Sequence, residues 1–241
     1  MGKIDGILKE TAHRPYKIPD GNWDFYQEWK QVLLFHWTIP ENIIKPLIPK
    51  GLELDFFDEK TYVSLVPFSV KSIRPRMLPA ISAISDFHEV NLRAYIIKDG
   101  IPGIYFLSIE AEKRMSAFIS RTFSGLPYEH ALISRSDGRY QSANPFRKFS
   151  LQLEYTISDL IPNKTPLDKW LTERYALYLE NHSKLYRFDV HHKEWEIRNV
   201  EMKKLQVDYK FTGFNLSDRQ PDSIHYSDGV EVIAWNKIRI R

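Results

Sequence analysis

Glu89, Asn91, Arg93 and Tyr95 occupy alternate positions of the segment Phe87–Ile97, and Val90, Leu92, Ala94 and Ile96 fill the places between them. A strand sends successive side chains to opposite faces, so a carboxyl, an amide, a guanidinium and a phenol share one face and the aliphatic residues share the other. A carboxyl can move a proton, and a guanidinium can hold a carboxylate through paired hydrogen bonds. Glu89 and Arg93 are four residues apart, on the same face but not adjacent, which leaves room for a water or a ligand. Such a face either meets solvent or lines a cavity, and the spacing fits both.

Two further imidazoles are candidates for ligand contact. His36 sits with the apolar run Val32–Phe35 and reads either as a buried ring bonded to backbone or as a ring facing a ligand. His191 and His192 are adjacent, so in a strand they point apart and cannot grip one ion together. With no third ligand at a supporting spacing, no metal is expected. His192 is kept as a ligand-binding candidate. Arg74 and Arg76 flank Pro75 in an extended loop, where they could hold an anion or meet water.

The elements that must position these groups are mostly strands. Thr61–Ile73 is β-branched and aromatic, with Pro67 arguing for an edge or a bulge. Asp99-Gly100 and Asp137-Gly138 mark hairpins, one after Phe87–Ile97 and one between Tyr128–Ser134 and Arg139–Ala143. Val32–Phe35, Leu52–Phe56, Gly103–Ile109, Lys148–Ile157, two strands within Arg174–His192, 202–209 and Val230–Ile240 complete the strand set. Met115, Phe118, Ile119, Thr122 and Phe123 fall at helical spacing, and Gly125 and Pro127 stop that helix. Glu110 and Glu112 would suit its N-terminus. Short helices are expected after Pro40 and over Pro166–Glu173. Residues 1–22 read as an irregular surface arm, and 23–241 as a single domain.

Composition narrows the function classes. The 241 residues are 43% hydrophobic and 14% aromatic, enough for a sizeable core. The 34 basic and 31 acidic residues are interleaved, which argues against nucleic acid as a partner. There is no cysteine, so disulfides, thiolate metal sites and a cysteine nucleophile are excluded. No apolar run is long enough for a membrane helix, and MGKIDGILKE has acids where a signal peptide has its apolar core. A cytoplasmic protein is expected.

Several ordered stretches resemble the YqjF-like bacterial family of unknown function. They are Phe35-His36-Trp37, Gly51-Leu52-Glu53-Leu54, Val63–Phe68, Phe87–Tyr95, Gly103–Phe106, Gly125–Tyr128, Thr172–Tyr175, Leu185-Tyr186-Arg187 with His191-His192 and Trp195, and His225-Tyr226-Ser227. That family is similar in fold to acetoacetate decarboxylase. The resemblance implies a β-rich α+β domain, a closed cone-shaped β-barrel with helices packed outside and a small-ligand cavity within. It favours the inward reading of Glu89, Asn91 and Arg93, and Glu89 matches a carboxylate of the decarboxylase. The decarboxylase pattern also has an Arg, then Gly-x-Pro, then two lysines. Arg121, Gly125 and Pro127 match, but Tyr128 and Glu129 stand where the lysines belong. A Schiff base needs an amine, which neither a phenol nor a carboxylate supplies. Decarboxylation by that route is therefore not expected.

Three functions fit. The first is a binder or sensor of a small organic or aromatic acid, with Arg93, Asn91, Tyr95, Arg121, His36 and His192 as ligand contacts. The second is a lyase- or isomerase-type enzyme on a small oxo-acid, with Glu89 as base and Tyr128 as acid. The third is a structural or partner-binding protein. None calls for a cofactor, and the oligomeric state stays open.

Overall fold

The computed structural model describes residues 2–113, 125–211, 213–217 and 219–240. Among them the chain forms sixteen strands: β1 (Phe25–Ile39), β2 (Glu53–Leu54), β3 (Thr61–Pro75), β4 (Phe87–Lys98), β5 (Ile101–Ala111), β6 (Tyr128–His130), β7 (Leu132–Ser136), β8 (Arg139–Asn144), β9 (Phe149–Leu160), β10 (Ala176–Asn181), β11 (Lys184–His191), β12 (Arg198–Asp208), β13 (Lys210–Phe211), β14 (Phe214–Asn215), β15 (Ser223–Ala234) and β16 (Ile238–Ile240).

Seven strands form a ring of pairings. β15 pairs with β1, β1 with β3, β3 with β4, and β4 with β5. β5 runs parallel to β10, which pairs with β11. β11 returns to β15 through Val190 opposite Ala234 and His191 opposite Ile233. A second layer continues from β15 through β12, β9 and β8 to β7.

Core composition separates the two faces of the ring. Val32, Leu34, Val66, Phe68, Val70, Phe87, Ala111, Val190, Val230 and Val232 meet in one cluster. They come from six of the seven ring strands, so they point inward. Leu33, Phe35, Val63, Leu65, Val90, Leu92 and Ala94 alternate with inward residues and pack against Ile133, Tyr140, Leu151 and Val207 of the second layer. The two-residue turn at Asp99-Gly100, with φ of 52° and 75°, joins β4 to β5 as the Asp-Gly signal predicts.

Pro67 sits in a central strand rather than at an edge. Its missing N–H is tolerated because the β1–β3 ladder is irregular there. Ser69 faces Lys30 and Leu65 faces Phe35, so β1 carries one extra residue across the gap, and Gln31 adopts φ 52°. Pro67 keeps its place opposite Val90 on β4.

Other sequence expectations are corrected. The N-terminal arm is not wholly irregular: Lys3–Lys9 is a helix. Ile4, Ile7 and Leu8 lie at helical spacing and pack against Tyr26, Ile233 and Trp235. The last strand breaks into β15 and β16. Glu110 lies at the end of β5, opposite Val90, and is fully buried. The helix expected over Met115–Phe123, with Arg121, lies outside the described residues. Among the described residues no helix is long and apolar enough to cross a membrane.

The helix Pro166–Thr172 begins where the sequence predicts. Thr165 caps it: its hydroxyl accepts from Asp168 N–H at 3.1 Å, and Asp168 accepts from Thr165 N–H at 2.8 Å. Leu167, Trp170 and Leu171 turn toward Tyr62, Tyr95, Ile104 and Phe106, which docks the helix on the ring.

Candidate functional site

β4 places Phe87, Glu89, Asn91, Arg93 and Tyr95 on the inner face, because the alternate residues Val90, Leu92 and Ala94 belong to the outer cluster. Glu89, Asn91 and Tyr95 are buried, and Arg93 is half-buried.

Glu89 has a defined set of partners. Tyr128 donates its hydroxyl hydrogen to Oε2 at 3.0 Å, and Asn91 donates through Nδ2 to Oε1 at 3.1 Å. β6 brings Tyr128 there, since its parallel pairing with β5 sets Tyr128 opposite Ile109. Tyr140 fixes the backbone by donating to the Glu89 carbonyl at 2.9 Å. Burial raises the Glu89 pKa to about 7, against the lowering effect of both donors. Burial and the adjacent carboxyl push the Tyr128 hydroxyl well above its ordinary value. At neutral pH the pair can therefore exchange one proton at Glu89 while Tyr128 remains a donor.

The neighbouring position differs from Tyr128. Glu129 points away from Glu89 to Arg147, whose Nε lies 2.9 Å from both carboxylate oxygens and whose Nη2 lies 2.8 Å from Oε1. Of the two residues standing where the decarboxylase pattern has lysines, only Tyr128 reaches the Glu89 carboxyl.

Two residues along β4, polar atoms lack partners. Asn91 Oδ1 and Arg93 Nε are buried and have no hydrogen-bond partner among the described residues. The Arg93 guanidinium lies 6.0 Å from the Tyr95 ring. Buried polar groups are normally satisfied, so these two are open to a ligand or a water.

Tyr95 and His36 join a different network. Tyr95 OH lies 2.6 Å from Ser64 Oγ, and Ser64 Oγ lies 2.5 Å from His36 Nδ1. His36 Nε2 faces His225 Nδ1 at 3.2 Å. His225 Nε2 meets Asp168 Oδ1 at 2.9 Å. β1, β3, β4 and β15 supply His36, Ser64, Tyr95 and His225, with His36 opposite both Ser64 and Ser223, and the helix Pro166–Thr172 supplies Asp168.

His192 belongs to neither network. Its ring packs 4.7 Å from Tyr175 and 5.0 Å from Trp195, and Nδ1 donates to the Lys193 carbonyl at 2.7 Å. Burial lowers its pKa to about 3, so the ring is neutral. Arg74 and Arg76 lie over aromatic rings: Arg74 is 5.0 Å from Tyr26, and Arg76 is 5.4 Å from Trp23.

The sequence reading missed Ser64, His225 and Asp168. Ser64 had a signal as the one hydroxyl in the apolar run Val63–Val66. His225 stood in a stretch valued only for its resemblance. Asp168 is also the third residue of a helical capping box, a role sufficient to account for it.

The chain is 35% identical over 237 residues to the uncharacterized protein YqjF of Bacillus subtilis (strain 168), covering 95% of this chain and 98% of that one. An acetoacetate decarboxylase-like enzyme from Sphingomonas wittichii RW1 shares the fold at TM-score 0.61 and 14% identity, covering 95% of this chain and 98% of the other. The enduracididine biosynthesis enzyme MppR, solved with pyruvate, matches at TM-score 0.58 and 10% identity over 93% and 92% of the two chains. The fold is thus of the acetoacetate decarboxylase type, as the sequence resemblance implies. Residues 26–231 match the model of DUF2071, described as an uncharacterized conserved protein, and the chain belongs to that family.

Proposed function

We propose that this protein binds a small organic acid inside the ring of strands, with Arg93 pairing the carboxylate and Asn91 and Tyr95 fixing its orientation. One observation carries this reading: Glu89, Asn91 and Arg93 lie on the face of β4 opposite Val90, Leu92 and Ala94, and Asn91 Oδ1 and Arg93 Nε are buried without partners among the described residues. An anion beside Arg93 would supply the missing acceptor, and its hydroxyl or hydrated form would donate to Asn91. A structural neighbour holds pyruvate, which makes a short 2-oxo acid the first ligand to try.

The test is calorimetric titration with pyruvate, 2-oxobutyrate and benzoate. Binding by one of these, weakened at least tenfold in Arg93→Ala, supports the reading; a fully desolvated charge pair is worth a few kcal/mol. Equal affinity in wild type and variant would overturn it.

A second reading is an enzyme on the same ligand, and the Glu89–Tyr128 pair favours it. A carboxyl titrating at about 7 suits a general base at neutral pH, and a phenol 3.0 Å away can return a proton. Enolisation would show as deuterium entering the pyruvate methyl group in heavy water, followed by proton NMR. Exchange that disappears in Glu89→Gln while binding persists would establish turnover. Exchange equal to buffer alone would leave a binder.

A further inference from the structure

The network built on His36 has an unusual hydrogen count. Five hydrogen bonds run in a line through six groups, Asp168 carboxylate, His225, His36, Ser64, Tyr95 and the Leu171 carbonyl, and a sixth, longer contact of 3.3 Å closes a branch from Tyr95 OH to the same His36 Nδ1 that meets Ser64. The links in line measure 2.9, 3.2, 2.5, 2.6 and 2.9 Å. Both end groups can only accept, since an ionised carboxylate and a backbone carbonyl carry no donor. The four groups between them each bring one hydrogen when neutral: one per imidazole, one on Ser64 and one on Tyr95. Five links need five hydrogens, and the neutral line has four.

The shortfall falls in a buried place. His36 and Ser64 are fully buried, and Tyr95 and His225 nearly so. With four hydrogens, one link is a pair of facing lone pairs, which is costly away from water. One added proton makes an imidazolium of His36 or His225 and completes every link, with the Asp168 carboxylate as counter-charge.

The surrounding charges oppose one another. Asp168 favours the proton on His225, while Lys164 and burial disfavour it. Burial, His225 and Arg93 disfavour it on His36. Ser223 Oγ, 3.5 Å from His225 Nε2, is neutral. Arg93 stands opposite Ser64 in the β3–β4 ladder, and a second guanidinium, Arg174, paired with Asp55, lies 5.0 Å from the Tyr95 ring. An anion seated on Arg93 would cancel the opposition from that side.

We propose that the line Asp168–His225–His36–Ser64–Tyr95 is a second acid/base site in the ring, one that takes up a single proton when an organic anion binds at Arg93. The proposal rests on the preceding reading of Arg93. The step is balanced: a hydronium ion or buffer acid gives up the proton, an N–H bond forms on one imidazole, and no bond of the ligand is made or broken. Linkage is reciprocal, so anion affinity rises as pH falls across the titration of the histidine pair.

The experiment is titration of pyruvate into the full-length protein at pH 7 in phosphate, HEPES and Tris, whose ionisation heats differ. The slope of observed heat against buffer ionisation heat counts protons taken up. Nitrogen-15 imidazole spectra of the same protein, with and without pyruvate, show which group receives them. The expected result is an uptake of roughly one proton with ring-nitrogen shifts moving toward imidazolium at His36 or His225. His225→Gln, which keeps a polar side chain in the line, should bring the slope close to zero. Binding without uptake, or uptake with unmoved ring nitrogens (a proton gone to Glu89), overturns the proposal and leaves the anion site standing. No binding of pyruvate overturns the anion site read for this ligand and the linkage with it. The spectra need no variant, so they decide the matter even if His225→Gln fails to fold.

Discussion

Tyr128 donates to Oε2 of Glu89 at 3.0 Å from a strand that begins at Tyr128 itself. The carboxyl is thereby held beside β5, which pairs with both β4 and β6, in a place dry enough to raise its pKa to about 7. The unfolded chain keeps the group near its ordinary 4.5. Between those two values the folded state holds a proton that the unfolded state has lost, so stability falls as pH rises from about 4.5 to about 7 and is level beyond. A shift of this size corresponds to about 3 kcal/mol, as an order of magnitude. Glu110, buried against Tyr209 with a pKa also raised to about 7, contributes in the same direction and window. Denaturant unfolding at a series of pH values should show a shallower fall for Glu89→Gln than for wild type. The histidine contributions cancel in the difference.

Tyr128→Phe removes a donor that favours the ionised carboxyl. The Glu89 titration should move upward from about 7, followed by carbon-13 NMR of labelled glutamate. The stability cost should be about 1–2 kcal/mol, the usual loss when a buried acceptor loses its partner. An unmoved titration would mean that the hydroxyl contact does not govern the acid.

Tyr128→Lys tests the correspondence with the decarboxylase pattern directly. An amine at this partly dry position, beside Glu89, is placed to form an imine with a keto acid. Borohydride with acetoacetate or pyruvate should trap a covalent adduct on the variant, read by mass spectrometry, and none on wild type. A lysine at 129 would instead replace a carboxylate bonded to Arg147 and should trap nothing.

Tyr95→Phe should loosen the helix Pro166–Thr172. The Tyr95 hydroxyl donates to the Leu171 carbonyl at 2.9 Å, one of the carbonyls left without a helical partner near the C-terminal end. Loss of about 1–3 kcal/mol is expected, with faster amide exchange in the helix than in β3 or β4. Uniform exchange across the molecule would show that the hydroxyl is not what seats the helix.

Gly103→Ala should be among the most damaging single changes. A methyl there would lie 2.6 Å from the Ala176 carbonyl oxygen and 2.7 Å from the Tyr178 ring. This is where β5 and β10 run side by side, a junction of only two residue pairs that the ring depends on. Overpacking against backbone costs about 1–3 kcal/mol or more, visible as a lowered melting temperature.

Much of this was legible in the chain, and the reasons for the rest are physical. The alternation of Glu89, Asn91, Arg93 and Tyr95 with aliphatic residues fixed their shared face, and Asp99-Gly100 fixed the hairpin that follows. Local patterns carry such information because strand periodicity and turn chemistry act over a few residues. The register that brings His36 opposite Ser64, and Asp168 against His225 57 residues away, has no local signature. Glu110 was misread for the same reason: a carboxyl before an expected helix resembles a helix start, and only the pairing of β5 with β4 buries it. Pro67 argued for an edge or a bulge, and the irregular ladder chose the bulge.

The seven-residue helix Pro166–Thr172 supplies both ends of the histidine line, Asp168 near its start and Leu171 near its end. Without the helix, three links in line and the longer Tyr95–His36 contact remain among His225, His36, Ser64 and Tyr95, and their four hydrogens are enough. The ring of strands alone has no need of a further proton. It is the seating of one short helix that creates the vacancy, so under the proposed linkage the anion-bound, protonated line would give up its proton if the helix lifted, and the bound anion would hold the helix down.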